Sequence, residues 1–226
     1  MLDFGFYNMD CMEGMKEFPD KYFDLAIVDP IYGDVTSGGY MHGQGGQKLA
    51  KRRDYHFVVF EQPKTGAEYF KELLRVSKNQ IVWGGNYFCD YLPTSQCWIV
   101  WDKLRSEGVK FADLEMAWTS FDQAARIFRF RWNGMLQGDM KNKEFKIHPT
   151  QKPVKLYEWL LTKYAKPGDI ILDTHVGSAS SLIACHNTQH KYVGFEIDET
   201  YYKQAAERIE RETAQMNIFD LGIERG

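Results

Sequence analysis

Cysteine is scarce in this sequence, and the four present (Cys11, Cys89, Cys97 and Cys185) stand far apart with no CxxC pair. That scatter suggests neither a disulfide framework nor a zinc site, and it suits reduced thiols in a cytoplasmic protein. HNTQH spaces His186 and His190 at i, i+4, but it spans a helix end without a third ligand, so no metal is expected. No apolar run approaches the roughly 20 residues of a membrane span, so no membrane partner is expected. The opening MLDFGFYNMDCMEG has no basic stretch leading into an apolar one, and no secretion signal is read there. Neither sign of charge dominates. With 28 lysines and arginines against 31 aspartates and glutamates the net charge is −3, so any hold on nucleic acid must come from local basic patches. Repeats, low-complexity tracts and long linkers are also lacking.

Of the 226 residues 44% are hydrophobic and 26% charged, the balance of a globular chain that can bury one large core. Strands are expected at FGFYN (4–8), FDLAIVD (23–29), QIVWGG (80–85), CWIVW (97–101), LEMAWTSF (114–121), RIFRFRW (126–132), DIILD (169–173) and KYVGFEI (191–197). Helices are expected at 11–18, 65–77, 153–164 with Pro153 in the first position, 178–186 and 199–214. The near-continuous apolar run at 23–29 marks a parallel strand covered on both faces. Strands alternating with helices predict an α/β fold with a mainly parallel sheet. Residues 33 to 57, rich in Gly, Gln, Lys and Arg, read as a long mobile loop of the kind that carries function or stays disordered.

Three of these strands end in a carboxylate: Asp29, Asp173 and Glu196. In open α/β sheets ligands bind outside the carboxyl ends of the strands. LAIVDPIYG runs an apolar strand straight into Asp29, Pro30, Ile31 and Tyr32. In ILDTHVGSAS, Gly177 and Ser178 let backbone approach a ligand, and the following helix start favours negative charge. Glu196 follows after about 20 residues, a spacing at which an acidic group commonly accepts hydrogen bonds from ribose hydroxyls. The turn is not GxGxxG, so an ordinary βαβ unit remains the other reading. HPTQKP (148–153) brings His148, Thr150 and Lys152 to a helix start. A cation, a hydroxyl and free N–H groups suit a carboxylate ligand, against the plainer reading of a polar loop.

Together, DPIY, HPTQKP and DTHVGSAS…GFEID resemble motifs IV, X and I–II of the amino-methylating DNA methyltransferases that use S-adenosylmethionine. The catalytic motif comes first and the cofactor motif last, which resembles the circularly permuted β group. The segment YNMDCMEGMKEFPDKYFDLAIVDPIYG fits the opening of that group. The likeness is close over residues 7–32 and 148–208 and loose over 33–147. It implies a single Rossmann-like methyltransferase domain over 1–226, a mainly parallel twisted sheet flanked by helices. The catalytic half would be 1–100, recognition regions about 33–60 and 102–147, and the cofactor-binding half 148–226.

The resemblance further implies methyl transfer to the exocyclic N6 of an adenine flipped out of DNA. Asp29 and the Pro30 carbonyl would accept from the amino group and return its delocalised lone pair to nitrogen, and Tyr32 would stack on the base. For the cofactor it assigns His148, Thr150 and Lys152 to the methionine end and Glu196 to the ribose. Asp173, Gly177 and Ser178 go to the turn beneath the cofactor, and Asp10 with Cys11 to the adenine end. Two departures stand out. Ile31 replaces the second proline of the usual D/N/S-P-P-Y, and Ala179 replaces a glycine, which should matter little if that position is already helical.

Lys48, Lys51, Arg52 and Arg53 in the long loop are candidate phosphate contacts, as are Arg129 and Arg131, which would share one strand face opposite Phe128, Phe130 and Trp132. Each group also reads as a solvated surface. Asn86, after Gly85, either touches substrate or caps a helix. The implied partner is DNA, and a homodimer is compatible with a family whose members often pair. Asp at the head of the tetrapeptide leans to adenine. The alternatives are a cytosine-N4 methyltransferase, methylation of a glutamine or small-molecule amine, and an inactive DNA- or cofactor-binding relative.

Overall fold

A computed structural model describes residues 1–31, 65–105, 112–133 and 136–220. The first half of the chain supplies β1 (Gly5–Asn8), α1 (Cys11–Lys16), β2 (Phe23–Val28), α2 (Ala67–Val76), β3 (Ser77–Trp83), β4 (Trp98–Asp102) and β5 (Leu114–Thr119). The second half supplies β6 (Arg126–Arg129), β7 (Trp132–Asn133), β8 (Leu136–Gln137), α3 (Val154–Tyr164), β9 (Ile170–Asp173), α4 (Ser180–Asn187), β10 (Lys191–Glu196) and α5 (Glu199–Asp220). Eight strands form one sheet in the order β1-β10-β9-β2-β3-β5-β4-β6. The pairs from β1 through β3 are parallel, β5 runs antiparallel to both neighbours, and β6 is parallel to β4. The expected α/β class with a mainly parallel sheet is therefore present. β2, early in the chain, lies beside β9, far along it, with Leu25 facing Ile171 and Ala26 facing Leu172.

Because strand side chains alternate, each central strand feeds two cores. Leu25, Ile27, Ile81, Trp83, Ile99 and Trp101 pack with α3 and α4 through Leu156, Leu160 and Ile183. Ala26, Val28, Val82 and Leu172 pack on the other face with Met15 of α1 and Tyr69, Phe70, Leu73 and Val76 of α2. The 69, 70, 73, 76 spacing is the apolar stripe of an amphipathic helix. α2 ends where the Ser77 hydroxyl and N–H both donate to the Leu73 carbonyl, and the chain enters β3 without a loop. α1 lies close against β10 because Gly14 carries no side chain; a Cβ there would meet the Phe195 ring at 2.4 Å.

Two expectations are corrected. RIFRFRW is not one strand: β6 stops at Arg129, and Trp132 belongs to a separate two-stranded hairpin with β8. The Trp132 indole is buried and donates to the Gln151 carbonyl at 2.9 Å, which draws the chain away from the sheet edge. Arg129 and Arg131 thus do not share one strand face; both are exposed, and Arg129 reaches Asp102 at 3.5 Å. Pro153 is the residue before α3 rather than its first, at φ −70 and ψ 145. A proline side chain offers no acceptor, and the Val154 N–H is instead taken by Glu144 Oε1 at 2.9 Å.

Candidate active site

Parallel strands β1, β10, β9, β2 and β3 end on one edge, so Asp10, Glu196, Asp173 and Asp29 gather there from distant parts of the chain. β4 runs the same way and is followed at that edge by Lys103, whereas antiparallel β5 begins there, with Glu115 as its second residue.

Asp29 follows the last residue of β2. Its Oδ2 accepts a short hydrogen bond from the buried Lys152 ammonium, whereas its buried Oδ1 has no hydrogen-bond partner among the described residues. Lys152 also pairs with Glu115 Oε2 at 3.2 Å, and Glu115 Oε1 accepts from Lys103 Nζ at 2.5 Å. Each ammonium lies over an indole: Lys152 at 5.3 Å from the Trp83 ring centre, Lys103 at 5.1 Å from that of Trp101. Burial pushes the Asp29 carboxyl up, opposed by Lys152. Burial also works against Glu115, but Lys152 and Lys103 together bring it down to about 2. Four charges thus alternate in sign, the two lysines buried and the two carboxylates partly exposed.

Next along the edge, Asp173 is buried and held by the His175 N–H at 3.0 Å and by a short hydrogen bond from the Ser181 hydroxyl. Burial raises its carboxyl to about 7, with Asp29 and Glu196 adding to the rise. The turn after it places Gly177 at φ 53 and Ala179 at φ 63. The expectation that Ala179 is already helical is corrected: it precedes α4 in the left-handed region, its N–H on the Val176 carbonyl at 3.0 Å. An L-residue bears a cost of about 1–2 kcal/mol there. Its Cβ is offset by packing with Val176, Leu182 and Ala205. Glu196 Oε2 accepts the Gly177 N–H at 2.8 Å, and Oε1 the Asp198 N–H at 2.9 Å. Burial raises its carboxyl above the ordinary range.

His148 lies against this turn. Its ring would sit 3.6 Å from a Cβ on Gly177, packs edge-on to Tyr201 at 4.3 Å, and bonds Thr150 Oγ1 through Nδ1 at 3.0 Å. Burial and then Lys152 lower it to about 4, so the ring is neutral at pH 7. Asp10 is the N-cap of α1, accepting the Met12 N–H at 2.7 Å. Burial raises the thiol of Cys11, half-buried beside it, to about 12.

Pro30 is buried directly beyond Asp29; Tyr32, Lys48, Lys51, Arg52 and Arg53 lie outside the described residues. Asn86 sits in a 3-10 turn, Gly85–Tyr87, exposed at the end of β3. His186 and His190 join no third ligand: no cluster of metal-binding side chains occurs among the described residues. Among them, too, no helix is long and apolar enough to cross a membrane.

Three residues of the site escaped sequence reasoning. Glu115 shares its strand side with Ala117 and Thr119, both fully buried, so the period of two already pointed it inward. Lys103 continues the buried side of Ile99 and Trp101. Arg208, fully buried, continues the α5 face of Tyr201 and Ala205. It donates to the Ser178 carbonyl at 2.8 Å, Ser180 Oγ at 3.0 Å, Glu144 Oε2 at 2.8 Å and Glu212 Oε1 at 2.8 Å. Since Glu144 also caps α3, this one guanidinium ties the turn after β9 to the helix after HPTQKP.

Residues 47–207 match the family model for N6 and N4 methyltransferases described as DNA methylase. The Type II methyltransferase M2.DpnII of Streptococcus pneumoniae is 28% identical over 247 residues, taking in 91% of this chain and 89% of that protein. Type II methyltransferase M.HpaI of Haemophilus parainfluenzae is 39% identical over 84 residues, 37% of this chain; the match spans only 26% of that relative. Among solved structures, the M1.HpyAVI–SAM complex superposes with a TM-score of 0.56 at 20% identity, covering 90% of this chain and 98% of its own. The cytosine-N4-specific PvuII DNA methyltransferase does so with a TM-score of 0.60 at 12% identity, covering 93% and 91%. At such identities the two structures speak for the fold alone.

Proposed function

The chain belongs to the DNA methylase family of N6 and N4 methyltransferases, and on that premise we propose that it methylates the exocyclic N6 of adenine in DNA from S-adenosylmethionine. The observation that carries this reading is the buried Asp29 Oδ1, an acceptor without a partner among the described residues, at the end of β2 and beside a turn built for a ligand. The acceptors present fit the cofactor. Asp10, Asp173 and Glu196 are each held in place by backbone N–H groups. Each carboxylate oxygen accepts more than one hydrogen bond, which suits ribose hydroxyls and an adenine amino group. Glu196 would take the ribose, Asp10 with Cys11 the adenine end, and Asp173, Gly177 and Ser178 the turn beneath. His148 and Thr150 would hold the methionine end together with Lys152, whose ammonium has a second duty on Asp29. When bound, the cofactor supplies an electrophilic sulfonium methyl.

The protein's part is to make an adenine amine nucleophilic. Asp29 Oδ1 and the Pro30 carbonyl accept its two hydrogens, and Tyr32 stacks on the flipped base. Motif order and the β2–β9 neighbourhood support a circularly permuted arrangement, with a catalytic half at 1–100 and a cofactor-binding half at 148–226. Residues about 33–60 and 102–147 would meet DNA, Lys48, Lys51, Arg52, Arg53, Arg129 and Arg131 on its phosphates. Transfer of label from S-adenosylmethionine to unmethylated mixed-sequence DNA, followed by nucleoside analysis, tests the reading. N6-methyladenine is expected. N4-methylcytosine would move the substrate to cytosine, and absence of transfer by the intact protein would overturn the function.

A further inference from the structure

Lys103, Glu115, Lys152 and Asp29 form a line in which each inner group touches an opposite charge on both sides. The line runs across two indoles whose ring centres are 6.5 Å apart, so its two ammonium groups are shielded from water on one side. The cofactor half of the chain provides Lys152, β5 provides Glu115 and the end of β4 provides Lys103. An arrangement that draws on three separate elements to reach one carboxylate oxygen is more than a local cap. Its effect on Asp29 is asymmetric: Oδ2 is occupied, and Oδ1 is left buried without a partner among the described residues.

We propose that Lys103, Glu115 and Lys152 are positioning residues for Asp29: Glu115, anchored by Lys103, holds the Lys152 ammonium on Oδ2 and thereby turns Oδ1 toward the substrate amine. This rests on the reading of Asp29 as the amine's acceptor. The physical reason for a line rather than a single pair is charge balance. A buried carboxylate with one cation leaves that cation free to be drawn elsewhere; a second anion behind it, itself neutralised, fixes the cation's place. Among the described residues, the Asp173 carboxyl and the hydroxyls of Tyr69 and Tyr157 also feel the Asp29 charge. Burial raises both tyrosines well above their ordinary values, so neither carries charge near neutral pH.

The line predicts opposite signs for substitutions at neighbouring places. Glu115→Gln removes a negative charge of nearly the same shape, so Asp29 should lose its proton at lower pH. Lys152→Met removes the contacting cation, and the midpoint should rise by at least about one pH unit. Lys103→Met releases Glu115 to pull on Lys152, and the midpoint should rise by less. The Asp29 side-chain carboxyl carbon, followed by NMR in the free full-length protein and assigned by its loss in Asp29→Asn, reads all three directly. In methyl-transfer assays on mixed-sequence DNA, the acid limb of the kcat profile should move with that midpoint in each variant, with KM for the cofactor steady in Glu115→Gln. Removing a repelling charge lowers the midpoint whether or not Glu115 holds Lys152, so the deciding readout is kcat on the alkaline plateau. It should fall at least about tenfold in Glu115→Gln as the ammonium is no longer held on Oδ2. A Glu115→Gln protein with the wild-type plateau overturns the proposal, and this holds whether or not Lys152→Met folds. A wild-type protein that transfers no methyl group would overturn the proposed function while leaving the titration readable.

Discussion

Replacing Arg208 with methionine should cost the protein a large part of its stability, and more of it as pH rises. The guanidinium is fully buried and meets Glu144 at 2.8 Å and Glu212 at 2.8 Å. Removing one partner of a buried pair typically costs about 3–5 kcal/mol, against a total folding stability of about 5–15 kcal/mol. At a urea slope of about 2–3 kcal/mol per molar, the denaturation midpoint should fall by about 1–2 M. Glu212 keeps some compensation, being partly exposed with Arg211 at 3.6 Å. Glu144 does not. Burial already raises its carboxyl, Arg208 being the main group holding it down. Without Arg208 its folded value rises further above the unfolded one. An acid raised in this way contributes stability that is present below the unfolded value and lost as pH rises through the folded one. The gap between wild type and Arg208→Met should therefore widen from pH 5 to pH 8. Because the Ser178 carbonyl also loses its donor, cofactor affinity by titration calorimetry should fall roughly tenfold, about 1.4 kcal/mol. A variant within 1 kcal/mol of wild type at pH 8 would refute the tie between the two ligand loops.

Asp29→Ala should abolish methyl transfer while leaving cofactor binding nearly unchanged. The loss in single-turnover rate should be at least on the order of 10²–10³, and a folded variant with near wild-type rate would sink the assignment. Glu196→Ala should weaken cofactor binding and leave the fold intact, as read by calorimetry beside circular dichroism; unchanged affinity would remove the ribose role. Neutralising Lys51, Arg52 and Arg53 together should weaken DNA binding alike across sequences. It should also flatten the log–log salt dependence by about 0.9 for each phosphate that the protein no longer neutralises, and an unaltered slope would return these residues to a solvated surface.

Most of the fold was legible because its signals are local. The short continuous apolar run at 23–29, ending in Asp-Pro, marks a strand covered on both sides, and Phe70, Leu73 and Leu74 mark a helix face, although the buried stripe is Tyr69, Phe70, Leu73 and Val76, with Leu74 at its margin. What the pattern hid was decided by partners far off in sequence. β6 ends early because Trp132 finds Gln151, and α3 begins late because Glu144, not a side chain beside it, supplies the cap. Ala179 is a different case. Alanine reads as helix, and only the geometry of leaving β9 for α4 forces it into the left-handed region. Within the site, the residues at strand ends were visible as carboxylates after apolar runs. The charges that support them were visible only as polar breaks in otherwise buried strand and helix faces.

The support is needed because of how the sheet is wired. With β2 and β9 adjacent and parallel, Asp29 and Asp173 end neighbouring strands, and Asp29 adds to the cost of charging Asp173. The two are relieved differently. Asp173 receives a hydroxyl and a backbone N–H, neutral donors that leave it near the middle of its titration at about pH 7. Asp29 receives a full positive charge from Lys152, backed by a second carboxylate and a second lysine. In the proposed mechanism, an acceptor for an amine requires the cation, whereas a carboxylate that shapes a turn can do with dipoles. On that reading the same sheet edge sorts two neighbouring carboxylates into separate duties through the partners that distant segments bring to them.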